Sequence, residues 1–161
     1  MSKNIYIFID IQKDFVTKEN VSDEYISNLA NFISSLSSED EVIFTMETYL
    51  DSRGFCDWKS NGWSLPIKIQ EAIPEDITPL YIEKDNMVHT DWGIDLDISE
   101  DSNILICGIN FDTSVLANSL VIKGYFSKHN ITILKDRCYC INNNYKKAVC
   151  SILERCGIKC A

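Results

Sequence analysis

The chain of 161 residues has the length of one domain, and its 45% hydrophobic and 11% aromatic content supplies one sizeable core. That composition excludes disorder, collagen-like repeats and a two-domain enzyme, and the net charge of −9 argues against an electrostatic nucleic-acid binder. No apolar run approaches the roughly 18 residues of a membrane helix, and MSKNIYIFID lacks a signal peptide's long apolar stretch and cleavage site. The expectation is a cytoplasmic protein, residues 1–161 forming one domain, with no membrane and no nucleic-acid partner.

In chain order, Ile5–Ile9 is a continuous apolar run ending at Asp10, as in a strand buried on both faces. Ser22–Leu36 carries a helical stripe through Tyr25, Ile26, Leu29, Ala30, Phe32, Ile33 and Leu36. Glu41–Thr45 reads as a second strand, Leu65–Ile73 as a short helix stopped before Pro74, and Leu80–Glu83 as a third strand. Asn103–Cys107 is the clearest later strand, closed by Gly108 and followed by a helix from about Asp112 to Lys123. Ile131–Leu134 is another strand, Tyr145–Cys156 a last helix, and Ile158–Cys160 a final short strand. Strands alternating with helices predict a three-layer α/β/α domain built on a mainly parallel sheet of at most six strands.

The seven cysteines (Cys56, Cys107, Cys138, Cys140, Cys150, Cys156 and Cys160) are odd in number and fit no common zinc spacing. They are read as reduced structural thiols, with Cys107 a small buried hydrophobe inside its strand.

Chemistry in parallel α/β sheets gathers at the carboxyl ends of the strands. Three such ends carry candidates: Asp10 in IDIQKDF, Lys84 in YIEKDN, and Ser114 in GINFDTSV. A carboxylate could take a proton, an ammonium could hold it ionised and steady developing negative charge, and a hydroxyl could attack a carbonyl. Each also has an ordinary explanation: a strand-end Asp caps a loop, a Lys is a solvated charge, and Asp112-Thr-Ser is a helix-capping cluster. Read from the residues alone, the set reaches only as far as a possible hydrolase.

The opening IYIFIDIQKDFV, with Asp10, Gln12, Asp14 and Phe15, resembles that of the isochorismatase-like hydrolases, the superfamily of nicotinamidases, N-carbamoylsarcosine amidases and isochorismatases. Lys84 after a short strand matches the family's central lysine. The segment ICGINFDTSVLANSLVIKGY resembles its signature loop, and ITILKDRCYCINNNYKKAVCSILERCGI its later strand, acidic residue (Asp136) and closing helix. The resemblance spans nearly the whole chain. It implies Asp10 as general base, Lys84 as its partner, Ser114 where most members have the nucleophilic cysteine, and the backbone N–H groups of Asn110 and Ser114 as oxyanion donors. It also implies a cis peptide between Ile109 and Asn110. Phe15, Tyr49 and Trp92 are the candidate substrate-pocket residues.

Two departures bear on function. The family's nicotinamidases carry Asp-x-His and a further His after the second strand. Here FTMETYLDSRGF has Glu47 and Tyr49 and no histidine, so neither a metal nor any other cofactor is expected. Tyr49, Phe55, Trp58 and Trp63 offer aromatics for a lid or, preferentially, an interface, since members of the family commonly form homo-oligomers. Serine at 114 is a poorer nucleophile than cysteine. It fits an introduced Cys-to-Ser change, an isochorismatase-type vinyl-ether hydrolase, or a silent binding protein. The leading expectation is hydrolysis of a small-molecule amide or related C–N bond.

Overall fold

Ile5, Ile7, Phe8 and Ile9 are all buried, which is why this run reads without alternation. They belong to β1 (Asn4–Ile9), an inner strand paired in parallel with β2 (Glu41–Glu47) on one side and β4 (Asn103–Gly108) on the other. The computed structural model describes residues 3–50 and 54–161. Adding β3 (Leu80–Lys84), β5 (Asn130–Cys138) and β6 (Lys159–Cys160) gives a six-stranded, all-parallel sheet in the order β3-β2-β1-β4-β5-β6. The predicted α/β architecture is what forms.

Helices flank the sheet. α2 (Asp23–Ile33) packs on α3 (Ile67–Ala72), while α5 (Leu116–Tyr125) packs on α4 (Trp92–Asp95) and α6 (Asn143–Arg155). α2 begins at Ser22, whose hydroxyl accepts the Tyr25 N–H. It ends before the expected Leu36, because the Ser34 and Ser35 hydroxyls take the carbonyls of Asn31 and Phe32 at 2.9 and 2.7 Å. Two short helices escaped the sequence reading, α1 (Lys13–Lys18) and α4, each too brief to show a 3.6-residue stripe. The helix expected from Asp112 instead begins with a π-helical turn at Phe111–Val115, and α5 follows from Leu116.

β2 and β3 run further than expected. β2 extends to Glu47 and β3 to Lys84, and the parallel register sets Glu47 opposite Lys84 and Thr45 opposite Ile9. Phe8 stacks on Phe44 at 5.0 Å, and Phe44 on Tyr81 at 5.8 Å, knitting β1, β2 and β3 together. All seven cysteines are free thiols, and Cys56, Cys107, Cys138 and Cys140 are buried. Among the described residues, no helix is long and apolar enough to cross a membrane.

Candidate active site

The strand order reverses between β1 and β4: the chain runs outward from β1 through β2 to β3, then returns to β4 on the other side of β1. Crevices outside the carboxyl ends of strands form at such a point. Asp10 leaves β1 there, and residues 109–115 leave β4 beside it. Ile9 pairs with Gly108, and the Ile109 N–H donates to the Ile9 carbonyl at 2.9 Å. Gly108 has φ +147°, and a Cβ on it would lie 2.2 Å from the Ile9 oxygen. Only glycine lets the two backbones come this close. The Ile109–Asn110 peptide is cis, where the resemblance places it.

Asp10 is fully enclosed, with a backbone in the left-handed region at φ 53°. Its N–H donates to Thr45 Oγ1 at 3.0 Å, and the Thr45 hydroxyl donates back to Asp10 Oδ1 at 2.7 Å. Lys84 Nζ donates to Asp10 Oδ2 at 2.9 Å, joining two of the three predicted residues in a buried ion pair. Burial pushes the Asp10 carboxyl up to about 6, against the downward pull of Lys84 and the Thr45 hydroxyl. A carboxyl poised there can both take and return a proton near neutrality.

Two further residues complete this network. Glu47 Oε2 accepts from Lys84 Nζ at 3.2 Å, and the Tyr49 hydroxyl donates to Glu47 Oε1 at 2.6 Å. Lys84 Nζ also reaches the Asn86 carbonyl at 3.0 Å. The sequence named Glu47 only as standing where nicotinamidases carry Asp-x-His, and gave it no role because β2 was expected to end at Thr45. The usable signal was the spacing: Thr45 and Glu47, two residues apart on one strand face, both turn toward the end of β1.

Ser114 is buried within the π-helical turn. Its carbonyl accepts from Asn118 Nδ2 at 2.8 Å, and the same Asn118 side chain binds the Met87 carbonyl at 2.9 Å and the His89 N–H at 2.9 Å. Asn118 thus ties the serine's turn to the loop after β3, a role no sequence spacing announced. Among the described residues, the Asn110 N–H makes no backbone hydrogen bond, and the buried Asn110 Oδ1 has no partner.

The other predicted residues are spread around this centre. Phe15 is buried and packs edge-on against Phe55 at 5.0 Å, and Trp92 is fully buried beside His89, also at 5.0 Å. Trp63 Nε1 donates to Thr48 Oγ1 at 2.8 Å, and Trp58 stands exposed. A cavity of about 320 Å³ opens at the carboxyl end of β3, with Thr48, Lys84, Asn86 and His89 in its wall. Phe15, Tyr49, Trp92 and Asp10 are not among the residues lining it. Asp51, Ser52 and Arg53, part of the stretch compared with Asp-x-His, lie outside the described residues.

The sequence matches no model of a known protein family and no curated protein. Solved structures do resemble it. An isochorismatase family protein from Desulfovibrio vulgaris subsp. vulgaris str. Hildenborough superposes with a TM-score of 0.79 at 13% identity, over 99% of this chain and 94% of that one. The pyrazinamidase of Pyrococcus horikoshii, solved in complex with zinc, gives 0.74 at 18% identity over 98% of both chains. A nicotinamidase from Bacillus subtilis gives 0.67 at 19% identity, over 100% and 99%. At such identities the likeness is one of fold.

Among the described residues, the zinc of the Pyrococcus protein finds no fitting ligand set. Among the described residues, no group of three or more His, Cys, Asp or Glu side chains is placed to hold an ion. Glu47 is already engaged by Lys84 and Tyr49, and His89 Nε2 lies 2.6 Å from Asp95 Oδ2.

Proposed function

Because the chain has the isochorismatase-like hydrolase fold, we propose that it hydrolyses a small amide or a related C–N bond, with Ser114 in the nucleophile's position. The observation that carries this reading is the enclosed Asp10–Lys84 pair at the strand-order reversal, beside the turn that bears Ser114. Ser114 Oγ attacks the substrate carbonyl carbon while its proton passes to the Asp10 carboxylate. The resulting oxyanion is met by the backbone N–H groups of Asn110 and Ser114. Asp10 then gives its proton to the leaving nitrogen as the C–N bond breaks. Water attacks the acyl-serine, Asp10 takes a proton from it, and the serine hydroxyl is restored as the carboxylic acid departs. Lys84, 2.9 Å from Asp10 Oδ2, stabilises the anionic form of Asp10.

Two observations favour rival readings. A serine in place of the nucleophilic cysteine, beside a carboxyl raised to about 6, also suits a vinyl-ether hydrolase, in which Asp10 supplies the proton and no covalent intermediate forms. The complete enclosure of Asp10 suits a silent binding protein.

Ammonia release from a panel of small amides separates the three, comparing the protein with Ser114→Cys and with Ser114→Cys/Asp10→Asn. Activity that rises in Ser114→Cys and disappears in the double variant supports the amidase. Folded variants that stay silent on every amide overturn it, and turnover of an enol ether by the unaltered protein then points to the vinyl-ether chemistry.

A further inference from the structure

The Lys84 ammonium has three N–H bonds and three acceptors: Asp10 Oδ2 at 2.9 Å, Glu47 Oε2 at 3.2 Å and the Asn86 carbonyl at 3.0 Å. One cation is therefore divided between two enclosed carboxylates. Glu47 is not a loose side chain that happens to face it. The Tyr49 hydroxyl fixes its other carboxylate oxygen at 2.6 Å, and Gln12 binds both its backbone N–H and its carbonyl. The protein orders three residues, Lys84, Tyr49 and Gln12, around Glu47, although a lone Asp10–Lys84 pair would already be electrically balanced.

We propose that Glu47 is a positioning residue, which draws the Lys84 ammonium away from exclusive pairing with Asp10 and so eases the uptake and release of a proton at Asp10. The inference deepens the hydrolase reading and rests on Asp10 as its acid–base group. A buried cation paired one-to-one with a carboxylate favours its anion and opposes the effect of burial, so the carboxyl yields a proton to a leaving nitrogen less readily. A second carboxylate on the same ammonium opposes that, both by repelling the charge on Asp10 and by competing for the N–H groups. Glu47 itself touches no reacting atom.

The groups facing Asp10 are few. β2 contributes Thr45 and Glu47, β3 contributes Lys84, and the segment after β2 contributes the Cys56 thiol, which burial pushes up to about 12 and so keeps neutral. Among the described residues, Glu47 is thus the one anion that counters Lys84 at this carboxyl.

The test is a carboxyl-carbon NMR titration of the full chain, labelled at Asp and Glu and free of substrate. In Glu47→Gln, which preserves shape but removes the charge, the Asp10 midpoint is expected to fall by a few tenths of a pH unit or more, whereas Glu47→Asp should fall less. An Asp10 midpoint that stays or rises in Glu47→Gln overturns the proposal. If that variant does not fold, Glu47→Asp is read in its place, and an Asp10 midpoint that does not fall in it overturns the proposal instead. A merely structural Glu47 would change stability without moving the Asp10 midpoint. The titration needs no turnover, so its outcome is separate from that of the amide assays.

Discussion

Gln12 grips Glu47 by both of its backbone polar groups: Gln12 Nε2 donates to the Glu47 carbonyl at 2.9 Å, and Gln12 Oε1 accepts the Glu47 N–H at 2.8 Å. The same amide donates to the Trp63 carbonyl at 3.0 Å. One fully buried side chain thereby fastens the end of β2 and the Trp63 segment to the residues just beyond β1. Gln12→Leu would leave three buried partners unsatisfied and should cost about 2–5 kcal/mol of unfolding free energy. Urea denaturation at neutral pH measures it, and a loss below about 1 kcal/mol would mean that water replaces the amide.

Removing the cation should cost more than removing either anion. Lys84→Met strands two enclosed carboxylates against each other, and the expected loss is about 3–5 kcal/mol near neutral pH. Adding Asp10→Asn should restore a good part of it, which a double-mutant cycle reads as coupling between the two positions. Purely additive losses would mean that the pair does not interact.

Asp10 also predicts a sign. Its carboxyl is raised from 3.8 to about 6, so the folded chain holds this proton more tightly than the unfolded one. The stabilisation is fully present below about pH 4 and is lost as pH rises through about 6. Asp10→Asn cannot titrate. Relative to the unaltered protein, its stability should therefore gain about 3 kcal/mol between roughly pH 4 and pH 7.5. Denaturation series at both ends measure the difference, and a change of opposite sign would show that Lys84 outweighs burial.

Thiol reactivity should follow exposure. Cys156 is exposed, whereas Cys56, Cys107 and Cys138 are buried and their thiols are pushed up by desolvation. Iodoacetamide at about pH 8 should label Cys156 first and leave those three unmodified until denaturant is added. Peptide mass spectrometry follows the order, and early labelling of Cys56 would reveal an opening of the segment beside Asp10.

Gly108→Ala tests the close approach at the strand-order reversal. The new methyl would lie 2.2 Å from the Ile9 carbonyl oxygen on a backbone of φ +147°. The expected cost is roughly 2–5 kcal/mol from overpacking and backbone strain together. Gly124→Ala, where a Cβ meets nothing within 4 Å, is the control and should be close to neutral.

Much of the architecture was legible because buried parallel strands announce themselves. IYIFI and NILIC are too apolar to be anything but inner strands, and α2 and α6 carry plain amphipathic stripes. Asp10 and Lys84 were legible as polar residues closing such runs. Glu47 was not, because a glutamate after an apolar run reads as the start of a loop. Its burial depends on a lysine 37 residues away that only the register brings opposite. The π-helical turn at Phe111–Val115 was hidden for a related reason: its five-residue step leaves no trace in a stripe read at 3.6. Asn118 reads as an ordinary polar residue in a helix until the loop after β3 arrives to meet it.

The left-handed backbone at Asp10 decides how this position can be interrogated. At φ 53°, asparagine and aspartate are the side-chain-bearing residues that sit most comfortably, while alanine or a branched residue would strain the chain before any charge was considered. An alanine scan would therefore mix two losses at residue 10, one of geometry and one of chemistry, and credit both to the carboxylate. Asparagine alters the chemistry alone. The same restriction narrows the substitutions that drift could fix here, so that a lineage abandoning proton transfer would pass through asparagine or glycine sooner than through any apolar residue.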